Sequence, residues 1–289
     1  MVQGITGRQG QIETRWMLES GVHVSAGVTP GRAGAQVHGV PVYDSVAEAR
    51  SCHGNRVSMI YAPPPAAAQA ALEAVEAGVE LVVMSAERVP VHGLVRVIAA
   101  AQSRGARVVG PNSQGIVVPG VSRVGCPGGT DPDRRFRPGS VAVVSRSGGM
   151  ASEISMLLRS WHLGTSVQLH IGGAPLVGTT LTEASEIVQA DEATDVIVVF
   201  GEPSGEQELD LARAIEDGRV RVPVVALVAG RFADTMPSSL PFGHAPRAGV
   251  GGNASVVDKI RALEDAGAAV VSSLAELRTA LQGLGLKAE

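Results

Sequence analysis

Short apolar runs, each halted by a Gly- or Pro-rich turn and followed by a helical stretch, recur along most of this chain. That alternation limits the fold more than any other feature. Val57-Ser58-Met59-Ile60-Tyr61 halts at Ala62-Pro63-Pro64-Pro65, and Leu81-Val82-Val83-Met84 halts at Ser85-Ala86-Glu87. Arg107-Val108-Val109 likewise ends at Gly110-Pro111-Asn112-Ser113-Gln114-Gly115. Runs with no polar alternation belong to strands buried on both faces, as parallel strands between helix layers are. Strand and helix in strict alternation give an α/β fold with a doubly wound parallel sheet, whose ligand lies at the carboxyl ends of the strands. Hydrophobic residues make up 45% of the chain and aromatics only 3%, so the core is one of Val, Ala, Leu and Ile.

With 289 residues the chain is long enough for two domains. The alternation breaks in a Gly/Pro/Asp/Arg-rich stretch over 118–139 and then restarts. The expected division is an N-terminal domain over 1–120, a linker over 121–139 and a C-terminal domain over 140–289. A net charge of −4 argues against nucleic acid or an anionic membrane as the main partner. Cys52 and Cys126 are the only cysteines and show no metal-ligand spacing, so no metal site is expected and an intracellular, cytoplasmic setting is. No apolar run reaches transmembrane length, and the N-terminus carries no signal-peptide pattern. Lysine occurs only at Lys259 and Lys287, which reads as a coding bias.

The opening Gly4-Ile5-Thr6-Gly7-Arg8-Gln9-Gly10 reads as a strand end, a glycine turn and a helix start, where backbone N–H groups can meet a phosphate. The first strand is short for a parallel strand, which ordinarily runs to about five residues. A second strand over 22–28 ends at Thr29-Pro30-Gly31-Arg32. An NAD site would call for an acidic residue there; Arg32 instead suits a phosphorylated ribose, which both NADP and coenzyme A carry. The turns after these strands all fall on one edge of the sheet and form one site.

In the second half, the strand over 140–144 runs into Ser145-Arg146-Ser147-Gly148-Gly149, a second anion cradle at a helix start. The strand over 166–170 ends at Ile171-Gly172-Gly173, and the apolar strand over 196–200 stops at Gly201-Glu202. His244 lies in Phe242-Gly243-His244-Ala245-Pro246-Arg247, a loop too rich in Gly and Pro to be helix or central strand, ahead of a helix over 254–266. A histidine so presented can accept a phosphoryl group. Glu202 is the candidate to face it, since a carboxylate on one ring nitrogen fixes the tautomer and leaves the other as nucleophile. The other six histidines read as structural or surface residues. No G-x-x-x-x-G-K-[ST] loop occurs, so a nucleotide that phosphorylates His244 must be held by another chain.

Taken in register, Gly4–Gly10, Gly27-Val28-Thr29-Pro30-Gly31-Arg32, Gly110–Gly115, Val144–Gly148, Ile171-Gly172-Gly173, Gly201-Glu202 and Gly243-His244-Ala245 resemble the α subunit of succinyl-CoA synthetase and its ADP-forming acyl-CoA synthetase relatives. The resemblance covers nearly the whole chain. It implies a CoA-binding Rossmann-like domain followed by a flavodoxin-like ligase domain, and an ATP-grasp β subunit that holds ATP or GTP with Mg2+. It implies that His244 is phosphorylated with support from Glu202, and that Ser147, Gly148, Gly149, Gly172 and Gly173 hold the phosphate. It further implies that Thr6, Gly7, Arg8, Gln9, Arg32, Pro63, Ala86 and Glu87 line the CoA site, with Asn112 and Ser152 toward a small carboxylic acid.

The chain departs from the family pattern at several positions. Arg32 stands where lysine is usual, Ser113 where cysteine is, and Pro246 where glycine is. Ser152 aligns with a tyrosine that contacts succinate, and Ala174 with an aspartate; the segment 231–242 lacks the family's basic residues. CoA binding and phosphohistidine chemistry are expected to survive these changes, whereas succinate specificity is not. The competing readings are a non-catalytic CoA-binding or regulatory protein, a subunit of a CoA-dependent citrate-lyase-like enzyme, whose relatives usually carry extra domains, and an NADP oxidoreductase, which lacks a hydride-transfer constellation here.

Overall fold

The computed structural model describes residues 1–235 and 254–286. The chain divides into two compact units: unit 1 is Met1–Ile116, Ser122–Pro132 and Leu176–Thr179, and unit 2 is Val117–Val121, Asp133–Pro175 and Thr180–Glu289.

Unit 1 alternates strand and helix: β1 (Val2–Gln3), α1 (Arg8–Glu19), β2 (Gly27–Val28), β3 (Gln36–Val37), β4 (Val40–Tyr43), α2 (Val46–His53), β5 (Val57–Ile60), α3 (Pro64–Glu76), β6 (Leu81–Met84), α4 (Val91–Arg104) and β7 (Arg107–Val109). The sheet order is β3-β4-β2-β1-β5-β6-β7, parallel except that β3 pairs antiparallel with β4. The strand expected over 22–28 is paired only at Gly27–Val28, because β1 offers its neighbour just Val2 and Gln3. Pro64 and Pro65 occupy the first turn of α3, where missing N–H groups cost nothing. Ala67, Ala71, Ala74 and Val75 of that helix then bury against Ile60, Val82 and Met84.

The chain continues through β8 (Gly115–Val118), β9 (Ser122–Gly125) and α5 (Pro132–Arg135), so the stretch over 121–139 carries regular structure. Unit 2 then runs β10 (Pro138–Ser145), α6 (Gly148–Ser160), β11 (Thr165–His170), α7 (Leu181–Val188), β12 (Val196–Gly201), α8 (Gln207–Glu216), β13 (Val224–Val228), a 3-10 turn (Arg231–Thr235), α9 (Val256–Asp265), β14 (Ala269–Val271) and α10 (Leu274–Gly283). The second sheet has the order β14-β13-β12-β10-β11-β8-β9. Its strands β10 to β14 pair in parallel, and every residue of β12 and β13 is buried, as strands with helices on both faces must be. Ser147, Thr180, Ser255 and Ser273 each cap a helix start by accepting a backbone N–H, which fixes where the helices begin. Among the described residues no helix is long and apolar enough to cross a membrane.

Candidate functional site

In unit 1 the winding reverses at β1, which has β2 on one side and β5 on the other. Ligand crevices of such sheets open at the reversal. The loops after β1 and β5 come so close there that a Cβ on Gly4 would lie 3.0 Å from the Tyr61 carbonyl. One on Gly10 would lie 2.3 Å from the Gly4 oxygen, so the first turn of α1 is pressed onto the loop by glycine alone. Gly7 is the N-cap of α1 and has no side chain to cap it, and no acidic residue sits in the first turn. The N–H groups of Arg8 and Gln9 therefore have no acceptor among the described residues, and the helix end stays available to an anion.

The other expected ligands of this edge sit on neighbouring loops. Thr6 Oγ1 donates to Thr29 Oγ1 at 3.2 Å, tying the loop after β1 to the loop after β2. The N–H groups of Arg32 and Ala33 donate to Asp44 Oδ1 at 2.8 and 2.9 Å, which fixes the turn while the exposed guanidinium of Arg32 has no partner among the described residues. Pro63 is the exposed N-cap of α3, and Ala86 and Glu87 follow β6. Asn112, at φ 57°, donates its N–H to Ala86 O at 2.9 Å. Thr6, Gly7, Arg8, Gln9, Arg32, Pro63, Ala86, Glu87 and Asn112 thus all lie at the carboxyl edge of one sheet. Beneath them Gln9 Nε2 donates to the buried carboxylate of Glu13. Burial, with Glu13 adding to it, pushes the Cys126 thiol up to about 12.

In unit 2 the reversal is at β10, which lies between β11 and β12, with Ser145 opposite both His170 and Phe200. Ser147, Gly172 and Glu202 accordingly follow the carboxyl ends of adjacent strands. Ser147 caps α6: its Oγ accepts the Met150 N–H at 3.4 Å, and its own N–H donates to Ser145 Oγ at 3.0 Å. The donors left without an acceptor among the described residues are the N–H groups of Gly148 and Gly149. Gly172, at φ 101°, and Gly173 are buried after β11, and Ser152 is half-buried in the second turn of α6. His244, the expected phosphoryl acceptor, lies outside the described residues. Among the described residues no His, Cys, Asp and Glu cluster could hold a metal ion.

Behind this edge is a buried ionic cluster that the sequence reading did not anticipate. Arg146, Glu208 and Lys259 are 1%, 0% and 0% exposed. Lys259 Nζ lies 2.9 Å from Glu208 Oε2, and Arg146 Nη1 lies 3.5 Å from Glu208 Oε1. Burial holds the Lys259 ammonium below the ordinary lysine value, and the Glu208 carboxylate works against that. Lys259 is therefore chemistry and not only the coding bias its rarity suggested. A signal was present: Val256, Lys259, Ile260 and Leu263 share the buried stripe of α9, and Glu208, Leu211 and Ala212 that of α8. An ionic residue on an apolar stripe needs a buried counter-charge. Spacing alone could not say that the two stripes meet.

Family models match both units: a CoA binding domain over residues 1–88 and a succinyl-CoA ligase like flavodoxin domain over residues 138–284. The ADP-forming succinate–CoA ligase subunit alpha 2 of Archaeoglobus fulgidus is 40% identical over 270 residues, spanning 93% of this chain and 91% of that protein. A subunit of the ADP-forming sulfoacetate–CoA ligase of an Acholeplasma species is 35% identical over 288 residues, spanning 99% and 95%. Among solved structures, the ATP citrate lyase of Methanothrix soehngenii in complex with citrate and coenzyme A superposes with a TM-score of 0.86 at 25% identity. That match covers 100% of this chain and 51% of the other, so the chain spans about half the length of the solved structure it resembles.

Proposed function

The chain belongs to the succinyl-CoA ligase α-subunit family, and from that premise we propose that it is the α-type subunit of an ADP-forming acyl-CoA synthetase. It works in the cytoplasm with an ATP-grasp β subunit that carries ATP or GTP with Mg2+, and it joins a small carboxylic acid to coenzyme A through a phosphoryl group on His244. The observation that carries the reading is that Ser147, Gly172 and Glu202 stand at the ends of adjacent strands, with the Gly148 and Gly149 N–H groups open toward an anion.

At the unit 1 edge, the uncapped N-terminus of α1 and the Arg32 guanidinium, without a partner among the described residues, fit the phosphates of coenzyme A, and the close backbone packing at Gly4 and Gly10 holds that helix end in place. Thr6, Gly7, Arg8, Gln9, Pro63, Ala86 and Glu87 complete that wall, and coenzyme A supplies the thiol when bound. At the unit 2 edge, Glu202 holds one ring nitrogen of His244 so that the other attacks phosphorus and the nucleoside diphosphate leaves. The helix end at Gly148 and Gly149, with Gly172 and Gly173, takes up the negative charge. The phosphoryl group then passes to the acid's carboxylate, and the thiol displaces phosphate to leave the thioester. Splitting the reaction replaces one hard condensation with displacements on activated centres.

Asn112 and Ser152 are assigned to the acid, and Ser152 stands where the family has a tyrosine that contacts succinate. The test is to co-express the chain with its ATP-grasp partner and measure ADP and thioester formation with a panel of acids that includes succinate and sulfoacetate. One acid is expected to support turnover, and His244→Ala to reduce it by about 1,000-fold or more. Turnover that survives in His244→Ala would refute the assignment.

A further inference from the structure

The turn that carries Glu202 is folded in a way the backbone does not favour by itself. The carbonyl oxygens of Glu202, Pro203 and Ser204 all point at one atom, Lys259 Nζ, at 2.8, 3.1 and 3.4 Å. Consecutive carbonyl dipoles aimed at a common point repel one another, and a cation at the focus reverses the sign of that interaction. An ammonium has three N–H donors. The three carbonyls meet these donors, and the Glu208 carboxylate, its Oε2 2.9 Å away, stands beside the ammonium as counter-charge, which favours the charged form against burial.

Glu208 grips the same turn from the other side. Its Oε1 accepts the Glu202 N–H at 3.0 Å, so the residue is held at its amide by a carboxylate and at its carbonyl by an ammonium. A Cβ on Gly201 would lie 2.8 Å from Glu208 Oε1, which explains glycine just before the turn. Arg146 extends the grip to the phosphate cradle. It donates to Ser204 O, approaches Ser204 Oγ at 3.5 Å, and is followed in the chain by the helix cap Ser147. Lys259 lies one turn into α9, the helix that follows residues 236–253.

We propose that Lys259, together with Glu208 and Arg146, is a positioning device for the phosphoryl site: the Glu202–Ser204 turn is folded around the Lys259 ammonium, which pins α9 to it. The catalytic consequence rests on the reading of Glu202 and His244 given above; the fold of the turn does not. A buried ion cluster that serves stability alone can be replaced by apolar residues of similar volume with little loss. A positioning cluster cannot, because the cation is what shapes the turn.

The experiment therefore compares Lys259→Met with the wholly apolar triple Arg146→Met/Glu208→Leu/Lys259→Met, which leaves no buried charge unpaired, both in the full chain with its β subunit. The readouts are amide hydrogen exchange over residues 202–205, the rate at which an acid-labile phosphoryl group appears from labelled ATP, and coenzyme A affinity by calorimetry. In both variants exchange over 202–205 is expected to rise at least about tenfold while β12 stays protected. The phosphorylation rate is expected to fall by about 10- to 100-fold, as a misplaced catalytic group does. Coenzyme A affinity is expected to stay within about twofold, because its site is in unit 1. A triple variant that keeps both the exchange protection and the phosphorylation rate overturns the proposal. If the unsubstituted complex forms no phosphoryl adduct, the ligase reading fails instead, and exchange alone decides whether the turn is folded around Lys259.

Discussion

In unit 1 the loops at the sheet's reversal point are shaped by backbone packed on backbone: Gly10 against the Gly4 carbonyl, Gly4 against Tyr61, and a helix end left uncapped. In unit 2 the turn at the equivalent place is shaped by buried charge, with Lys259, Glu208 and Arg146 closed around Glu202–Ser204. The two units share a winding plan and finish it by different means. A glycine cradle has no charge to desolvate and suits a ligand that brings its own phosphates. A turn wrapped around an ammonium is costlier to bury but holds one carboxylate in one place, as general-base and orienting roles require.

The sharpest way to break this comparison is Glu202→Gln. It keeps the Glu202 carbonyl for Lys259 and replaces the carboxylate with an amide of the same shape, so turnover should fall by about 100-fold or more. Unchanged turnover would reduce the unit 2 turn to scaffolding. Next comes Glu208→Ala, which leaves Lys259 and Arg146 without their counter-charge and should cost about 3–5 kcal/mol in denaturant unfolding. A loss below about 1 kcal/mol, the range of exposed pairs, would mean water reaches the cluster.

Gly10→Ala probes the other mode. A Cβ 2.3 Å from the Gly4 oxygen forces the loop and helix apart, so a loss of about 1–3 kcal/mol and weaker coenzyme A binding in calorimetry are expected together. A smaller effect concerns pH. Burial lowers the Lys259 value, so between that value and the ordinary one the unfolded chain binds more protons and stability rises with pH. Denaturant midpoints across the alkaline range should show this rise in the parent and a flatter profile in Lys259→Met. The smallest effect is on thiol reactivity: exposed Cys52 should alkylate readily and Cys126, its thiol pushed up to about 12, slowly.

The same contrast decides how much was legible in the sequence. Strands buried on both faces advertise themselves as unbroken apolar runs, so the stretch read over 196–200 matches β12 (Val196–Gly201) closely. Glycine turns are contiguous, which is why Gly4–Gly10 and Ser147–Gly149 could be marked before any coordinates. The strand read over 22–28 was overlong, since pairing depends on what the neighbouring strand offers and Val2–Gln3 offers little. The ionic cluster stayed hidden because its members are scattered: Arg146 just after β10, Glu208 in α8 and Lys259 in α9. Glu208 and Lys259 each mark an apolar stripe, but only the packing of two helices on one sheet brings them together.

The proposed phosphoryl carrier is His244. Its most direct test is to react the complex with ATP and Mg2+ at alkaline pH, digest it, and locate the modification by tandem mass spectrometry. The account predicts a single phosphoryl group on the His244 peptide that disappears when the acid and coenzyme A are added. A phosphoryl group found on Ser147 instead, or on no residue of this chain, would contradict it.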